Sequence, residues 1–194
     1  MTIDSTFTTF PTLTSPRLRL RQVEIRDADD LYAAVSDEET MRYFGREPYR
    51  SLDEVQASIL MGQDNYMRRI AIRWGVTLKD DDRIIGTCTF HHFDERFRRA
   101  EVGYILNRAY WGQGLMSEAV STVLRYGFTE MELHRIEAII DIANERSKNL
   151  LLKLGFQYEG NLRQRYYQSG RFEDEHYFGL LHDEWRARLN EQRL

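Results

Sequence analysis

Apolar residues alternate, then wind at helical spacing, then alternate again along this chain. From Pro16, Leu18 and Leu20 alternate with Arg17, Arg19 and Arg21, the pattern of a strand with one wet face. Asp27 can cap a helix carrying Ala28, Leu31, Tyr32 and Val35, and a second short helix is predicted over Glu38 to Phe44. Ser51 with Glu54 three residues later is a capping box, opening an amphipathic helix towards Tyr66. Ile70, Ile72, Trp74, Val76 and Leu78 then fall on the alternate positions of a half-buried strand. The polar run from Lys79 to Arg83 is a turn, Ile84 to Phe93 the return strand, and Ala100 to Leu106 a third strand.

The spacing changes at Leu115. Met116, Ala119, Val120, Val123, Leu124, Phe128 and Met131 recur as on one side of a long helix. Alternation returns with Ile136, Ala138, Ile140 and Ile142, and Leu150, Leu151 and Leu154 mark another helix closed at Gly155. Aromatic-rich segments around Tyr166 and from Phe172 to Leu181 predict a last hairpin turning at Ser169-Gly170, before a polar, helical tail to Leu194. Residues 1–15, threonine-rich, read as a flexible N-terminal arm, and residues 16–194 as one domain. The expected fold class is α/β: a single-domain, mixed, mostly antiparallel central sheet flanked by helices.

Composition narrows the function classes. A chain of 194 residues suits one domain with a real core, and 42% hydrophobic with only 3 Pro is neither disordered nor fibrous. The 27 Lys+Arg against 31 Asp+Glu give a net charge of −4, which argues against nucleic-acid and membrane-surface partners. The single cysteine, Cys88, suits a reducing compartment and is expected to pack in the sheet. The first fifteen residues lack the apolar stretch of a targeting segment, so the expected localisation is cytoplasmic.

The candidate chemistry sits at Trp111-Gly-Gln-Gly-Leu115, between a predicted strand and the long helix. Glycines there turn the backbone tightly and leave N–H groups free for an anion, which the helix dipole also favours. A P-loop is excluded because no Gly-Lys-Ser/Thr follows at the right spacing. A dinucleotide fingerprint would want glycine where Ser117 stands. Taken alone, the loop is equally a glycine-rich connection with no ligand.

With Ala143-Asn-Glu-Arg-Ser147 after the next strand, and Leu154-Gly-Phe156 closing the next helix, the sequence resembles the GNAT superfamily of acetyl-CoA-dependent N-acetyltransferases. Leu13-Thr14 with Arg17-Leu-Arg-Leu-Arg21, and Gly170-x-Phe172-x-Asp174 with Tyr177 and Leu180, resemble its RimJ/RimL-type branch. The resemblance implies the GNAT acyl-CoA N-acyltransferase fold, with acetyl-CoA as cosubstrate. It implies that Leu106, Trp111, Gly112, Gln113, Gly114, Leu115, Met116, Ser117 and Asn144 bind the cofactor. Three positions depart from the family pattern. Ala109 replaces the loop's first Gln or Arg, Leu151 stands where many members carry a tyrosine acid, and Ile140 where some carry a cysteine.

The implied reaction is attack of an amine on the thioester, so an amine proton must be removed. The family's oxyanion donor would be a backbone N–H on the strand ending at Leu106. Glu101 is the candidate base, sharing a strand face with Gly103, the expected bulge point. Pairing of Glu101 with Arg98 or Arg99 is the structural alternative. Ser147 is the candidate proton donor to the thiolate, or a first-turn hydroxyl satisfying the backbone. His91 and His92, adjacent on a strand, are expected to face opposite ways and not to chelate one metal, so no metal is expected. The expected acceptor is a protein N-terminal amine. Alternatives are a small amine (polyamine, amino sugar or antibiotic), or a non-catalytic acyl-CoA-binding sensor. A monomer or a homodimer is expected.

Overall fold

Leu18 and Leu20 on β2 (Leu18–Gln22), and Ile72, Trp74 and Val76 on β3 (Ile72–Leu78), are all fully buried, as their alternation requires. The computed structural model describes residues 6–168 and 170–191. Its other strands are β1 (Leu13–Thr14), β4 (Asp81–Asp94), β5 (Arg99–Leu106), β6 (Arg135–Asp141), β7 (Gln157–Gln168) and β8 (Arg171–Leu181). The helices are α1 (Ala28–Val35), α2 (Glu38–Met41), α3 (Leu52–Met67), α4 (Leu115–Thr129), α5 (Glu145–Leu154) and α6 (His182–Glu191). Among the described residues the strands form one sheet in the order β1-β2-β3-β4-β5-β6-β8-β7. Neighbours are antiparallel except β5 and β6. This is the expected mixed α/β architecture.

Each face of the sheet has its own core. Val102 and Leu106 of β5 pack with α4 and with Leu151 of α5, whereas Ile105 and Ile84 pack with Leu31 and Val35 of α1 and with Val55 and Ile59 of α3. Alternate residues of a strand point to opposite faces, so β5 carries two different chemistries.

The Ser51 hydroxyl accepts from the Glu54 N–H at 3.3 Å, but the Glu54 carboxylate turns to the Arg50 N–H at 3.0 Å, so half the capping box forms. The helix expected over Glu38 to Phe44 stops at Met41 and continues as turns to Gly45, whose φ of +74° no helix tolerates.

The flexible arm expected over residues 1–15 is corrected for residues 6–15. The Phe7 and Phe10 rings lie 5.2 and 5.0 Å from the Tyr66 ring, and Trp74 Nε1 donates to the Pro11 carbonyl at 2.8 Å. The Tyr66 hydroxyl donates to the Thr6 carbonyl at 2.9 Å, and Leu13 and Thr14 pair with Leu20 and Arg19. Three apolar side chains in a polar run are enough to seat it over the edge of the core. Residues 1–5 lie outside the described residues, as does Ser169 of the turn expected at Ser169-Gly170.

Candidate active site

Two parallel strands part company in the middle of the sheet. β5 and β6 pair only at Arg99 with Arg135, Ala100 with Ile136 and Glu101 with Glu137. Beyond that point β5 stays in register with β4 and β6 with β8, so each follows its own half of the twisted sheet. The edge of Val102–Leu106 that faces β6 is left without a strand partner. A cavity of about 1320 Å³ occupies the gap.

At one end of the cavity lies the glycine loop. Gly112 and Gly114 have φ of +74° and +72°, the left-handed region that only glycine enters freely. Gly114 is the N-cap of α4, and the first intrahelical bond runs from the Glu118 N–H to the Gly114 carbonyl at 3.1 Å. The N–H groups of Leu115, Met116 and Ser117 therefore have no intrahelical acceptor and sit in the cavity wall. Trp111 Nε1 holds the loop by donating to the Leu106 carbonyl at 2.8 Å, and the Arg146 guanidinium lies 4.2 Å over its ring. Gln113 does not line the cavity; its carbonyl accepts from Arg17 Nη1 at 3.0 Å. That contact brings a cation to the loop whose first position, Ala109, offers none. Anion-binding backbone at this place fits a pyrophosphate.

Asn144, Ser147 and Tyr104 form the wall facing the loop. Asn144 is the N-cap of α5, its side-chain oxygen accepting from the Ser147 N–H at 3.1 Å. Tyr104 was not singled out from the sequence. Its hydroxyl is buried and has no hydrogen-bond partner among the described residues. Burial holds the phenol well above its ordinary pKa, and the nearby Ser147 hydroxyl only partly offsets that. Cys88 packs in the sheet as expected, with Sγ 3.6 Å from Met116 Sδ, and burial pushes its thiol up.

Glu101 lines the cavity on the opposite face of β5, the face of Ile105. It pairs with neither Arg98 nor Arg99. Arg99 bonds Glu137 and approaches Asp94, while Glu101 Oε2 contacts His92 Nδ1 at 3.0 Å and Glu101 Oε1 lies 3.8 Å from His91 Nε2. The expectation that His91 and His92 face opposite ways is corrected. Pairing runs from His91 with Glu101 to Asp94 with Arg99, so His92 and Phe93 together oppose Ala100 in a β-bulge. His92 has a left-handed φ of +50°, which swings its ring beside that of His91, with the two Nδ1 atoms 3.1 Å apart. The bulge therefore lies here and not at Gly103, which pairs in register with Thr89. Ligand atoms of His91, His92 and Glu101 lie within 4.8 Å of one another, a grouping able to hold a metal ion.

Further acidic groups share this face. Asp141 pairs in register with Glu175, and the Tyr166 hydroxyl donates to Asp141. Burial raises the Glu175 carboxyl above its usual pKa; Arg165 opposes this, and Glu101 and Asp141 add to it. Burial also lowers the His91 imidazole. Asp141 and Glu175 were likewise not singled out; they meet each other and Tyr166, named as part of an aromatic-rich strand, only through the β6–β8–β7 order.

A sequence profile described as the acetyltransferase (GNAT) domain matches residues 17–157. The chain belongs to the GNAT acetyltransferase family. The N-acetyltransferase YoaA of Bacillus subtilis (strain 168), described as uncharacterized, is 40% identical over 172 residues, 89% of this chain and 97% of that protein. The [ribosomal protein uS5]-alanine N-acetyltransferase of Escherichia coli (strain K12) is 30% identical, covering 89% of this chain and 92% of its own. A solved spermidine N-acetyltransferase from Vibrio cholerae, in complex with CoA and spermine, superposes with a TM-score of 0.78 at 24% identity. It covers 89% of this chain and 99% of that one, a likeness of fold. The protein is thus an acetyl-CoA-dependent N-acetyltransferase of the GNAT fold. Among the described residues no helix is long and apolar enough to cross a membrane.

Proposed function

We propose that this acetyltransferase moves the acetyl group of acetyl-CoA onto the α-amine of a protein N-terminus. The observation that carries this reading is the gap between β5 and β6, with anion-binding backbone on one side and Glu101 on the other. At about 1320 Å³ the cavity exceeds the roughly 300–1,000 Å³ of ordinary small-molecule pockets, leaving room for a cofactor arm and a peptide end. An α-amine, with a pKa of about 7.7–8.0, gives up its proton far more readily than an alkyl amine near 10.4, so a mild base suffices.

The amine nitrogen forms the new C–N bond as the C–S bond breaks. Glu101 takes the amine proton, directly or through one water. The unpaired edge of β5 beyond Glu101 offers backbone N–H groups to the carbonyl oxygen as it gains charge. Tyr104, kept protonated by burial and adjoining Ser147, supplies a proton to the departing sulfur, replacing the tyrosine absent at Leu151. The Ser147 hydroxyl adjoins that phenol and is the group able to orient it. The glycine loop, the first turn of α4 and Asn144 hold the pyrophosphate and the cofactor arm. The buried free Cys88 fits a cytoplasmic setting.

A second reading, acetylation of a polyamine, is favoured by one feature. Glu101, Asp141 and Glu175 put three carboxyl groups on the acceptor face, suited to a flexible polycation. The test is thiol release from acetyl-CoA with peptides bearing free or blocked N-termini, spermidine, and an amino sugar. Turnover of the free-N-terminus peptides is expected, with none once that amine is blocked. Turnover of spermidine alone supports the second reading, and cofactor binding with no turnover means a sensor.

A further inference from the structure

The bulge in β4 brings together two imidazoles and a carboxylate that acetyl transfer does not need as a set. His92 Nδ1 stands 3.1 Å from His91 Nδ1 and 3.0 Å from Glu101 Oε2. A proton on His92 Nδ1 can be aimed squarely at only one of these neighbours. Without it, the nitrogen lone pair faces a carboxylate oxygen. A cation placed between them accepts from all three donors at once. Donors bound tetrahedrally at about 2.0–2.1 Å lie roughly 3.3 Å apart, close to the two spacings at His92 Nδ1; His91 approaches Glu101 at 3.8 Å through Nε2, so binding draws the His91 ring and the carboxylate together around the ion.

The backbone sustains the grouping. His92 holds a left-handed φ of +50° at a bulge position where glycine is the usual occupant. Opposite it, Gly103 leaves room for the His91 ring, since a Cβ there would come within 3.3 Å of Nε2. The His92 side chain is 77% exposed, so an ion can reach the site from solvent, while Glu101 at 16% is largely enclosed.

We propose that His91, His92 and Glu101 form a binding site for zinc or a similar borderline divalent ion, and that filling it switches off acetyl transfer. Two imidazoles and one carboxylate are the ligand types such ions prefer, with a fourth position left for water, whereas magnesium favours a shell of oxygens. The bound ion engages Glu101, which then accepts no amine proton. That consequence rests on the reading of Glu101 as base; the binding itself does not.

The experiment is calorimetric titration of zinc chloride into chelator-treated protein, followed by acetyl-transfer assays across the same zinc range. His92→Asn is the main variant, because asparagine tolerates the left-handed backbone and lacks the imidazole. His91→Ala is the second. One zinc ion per chain is expected, with affinity at least about tenfold weaker in either variant and no magnesium binding. Transfer by the parent should fall over the range in which the site fills, and His92→Asn should need correspondingly more zinc for the same loss. The proposal is overturned by no saturable binding up to about 1 mM zinc, or by variants that bind as tightly as the parent. It is overturned too by a zinc-saturated enzyme that keeps its full rate. A metal-free parent that transfers nothing to the peptide would instead fail the reading of the acceptor, leaving the calorimetry to judge the site.

Discussion

The Asn144 side-chain oxygen accepts a hydrogen bond from the Ser147 backbone N–H at 3.1 Å, so the residue expected to hold the cofactor also caps α5. Its amide NH₂ is the group left to meet a ligand. Two substitutions separate the roles. Asn144→Asp keeps a capping oxygen and loses the donor, so stability should hold while acetyl-CoA binding weakens. Asn144→Ala should lose both, with about 1 kcal/mol of stability gone. Thermal melts and calorimetry on the two variants check this; tight cofactor binding by Asn144→Asp would leave Asn144 a cap alone.

Gly114 tests the loop. Its φ is +72°, and a Cβ there would meet only Arg17 Nη2 at an ordinary 3.6 Å, so the protein has space but the backbone conformation disfavours a side chain. Gly114→Val should therefore reshape the start of α4 and redirect its N–H groups. Loss of one or two charge-assisted hydrogen bonds, at about 1.5–3 kcal/mol each, means at least tenfold weaker acetyl-CoA binding. Unchanged affinity with the fold intact would reject the placement of the pyrophosphate.

Periodicity made most elements legible, because burial of one face is written directly into residue spacing. Ile72, Trp74 and Val76, and the α4 stripe of Ala119, Val120 and Val123, are all fully buried where spacing puts them. Ile70 and Ile142, at the ends of their alternating runs, lie outside β3 and β6 and are 44% and 41% exposed. What spacing cannot carry is meeting across the sheet. Tyr104 looks like any strand aromatic until β5 and β6 diverge and leave its hydroxyl unpaired, and Asp141 meets Glu175 only through strand order. The His91-His92 reading failed for a sharper reason. It assumed regular strand geometry, and a single left-handed residue reverses the side on which the second ring falls.

Tyr104→Phe should leave the fold about as stable as the parent, since it removes a buried hydroxyl that has no well-formed hydrogen bond among the described residues. If that hydroxyl donates to the departing sulfur, turnover should drop by about 10²-fold with acetyl-CoA affinity unchanged. Ser147→Ala should lower the rate less, because Ser147 acts on the phenol and not on the thioester. Steady-state kinetics beside a melting curve decide it; a Tyr104→Phe enzyme at parental rate returns Tyr104 to packing.

Glu118 ties the N-terminal segment to α4. Its carboxylate accepts from the Ser15 hydroxyl at 2.7 Å, from the Arg17 N–H at 2.8 Å and from Arg17 Nε at 2.6 Å. Burial pushes this carboxyl up, but the Ser15 and Arg17 hydrogen bonds outweigh it and hold the folded pKa below the usual value. A lowered folded pKa adds stability above the ordinary carboxylate range, and that stability is lost as pH falls through the folded value. Glu118→Gln should thus unfold more easily by about 1–2 kcal/mol at pH 7, and the gap from the parent should close at low pH. Denaturant midpoints at neutral and acid pH measure both; a gap that does not change with pH would remove the charge from the account.

Glu101 is the last β5 residue paired with β6, and its carboxylate meets imidazoles where an arginine partner would have marked a structural salt bridge. If Glu101 is the base, it takes the proton of an amine arriving on the acceptor face. Glu101→Gln keeps the shape and the hydrogen-bonding capacity toward His92 but not the basicity. Turnover should fall by about 10²-fold or more while acetyl-CoA affinity stays unchanged, a change confined to the chemical step. The assays belong in chelator, so that zinc at the same carboxylate does not mimic the loss. An acceptor with a lower amine pKa should be less affected, since less of it needs a base. A rate within about threefold of the parent would instead show that the proton leaves by water, with Glu101 only holding the bulge.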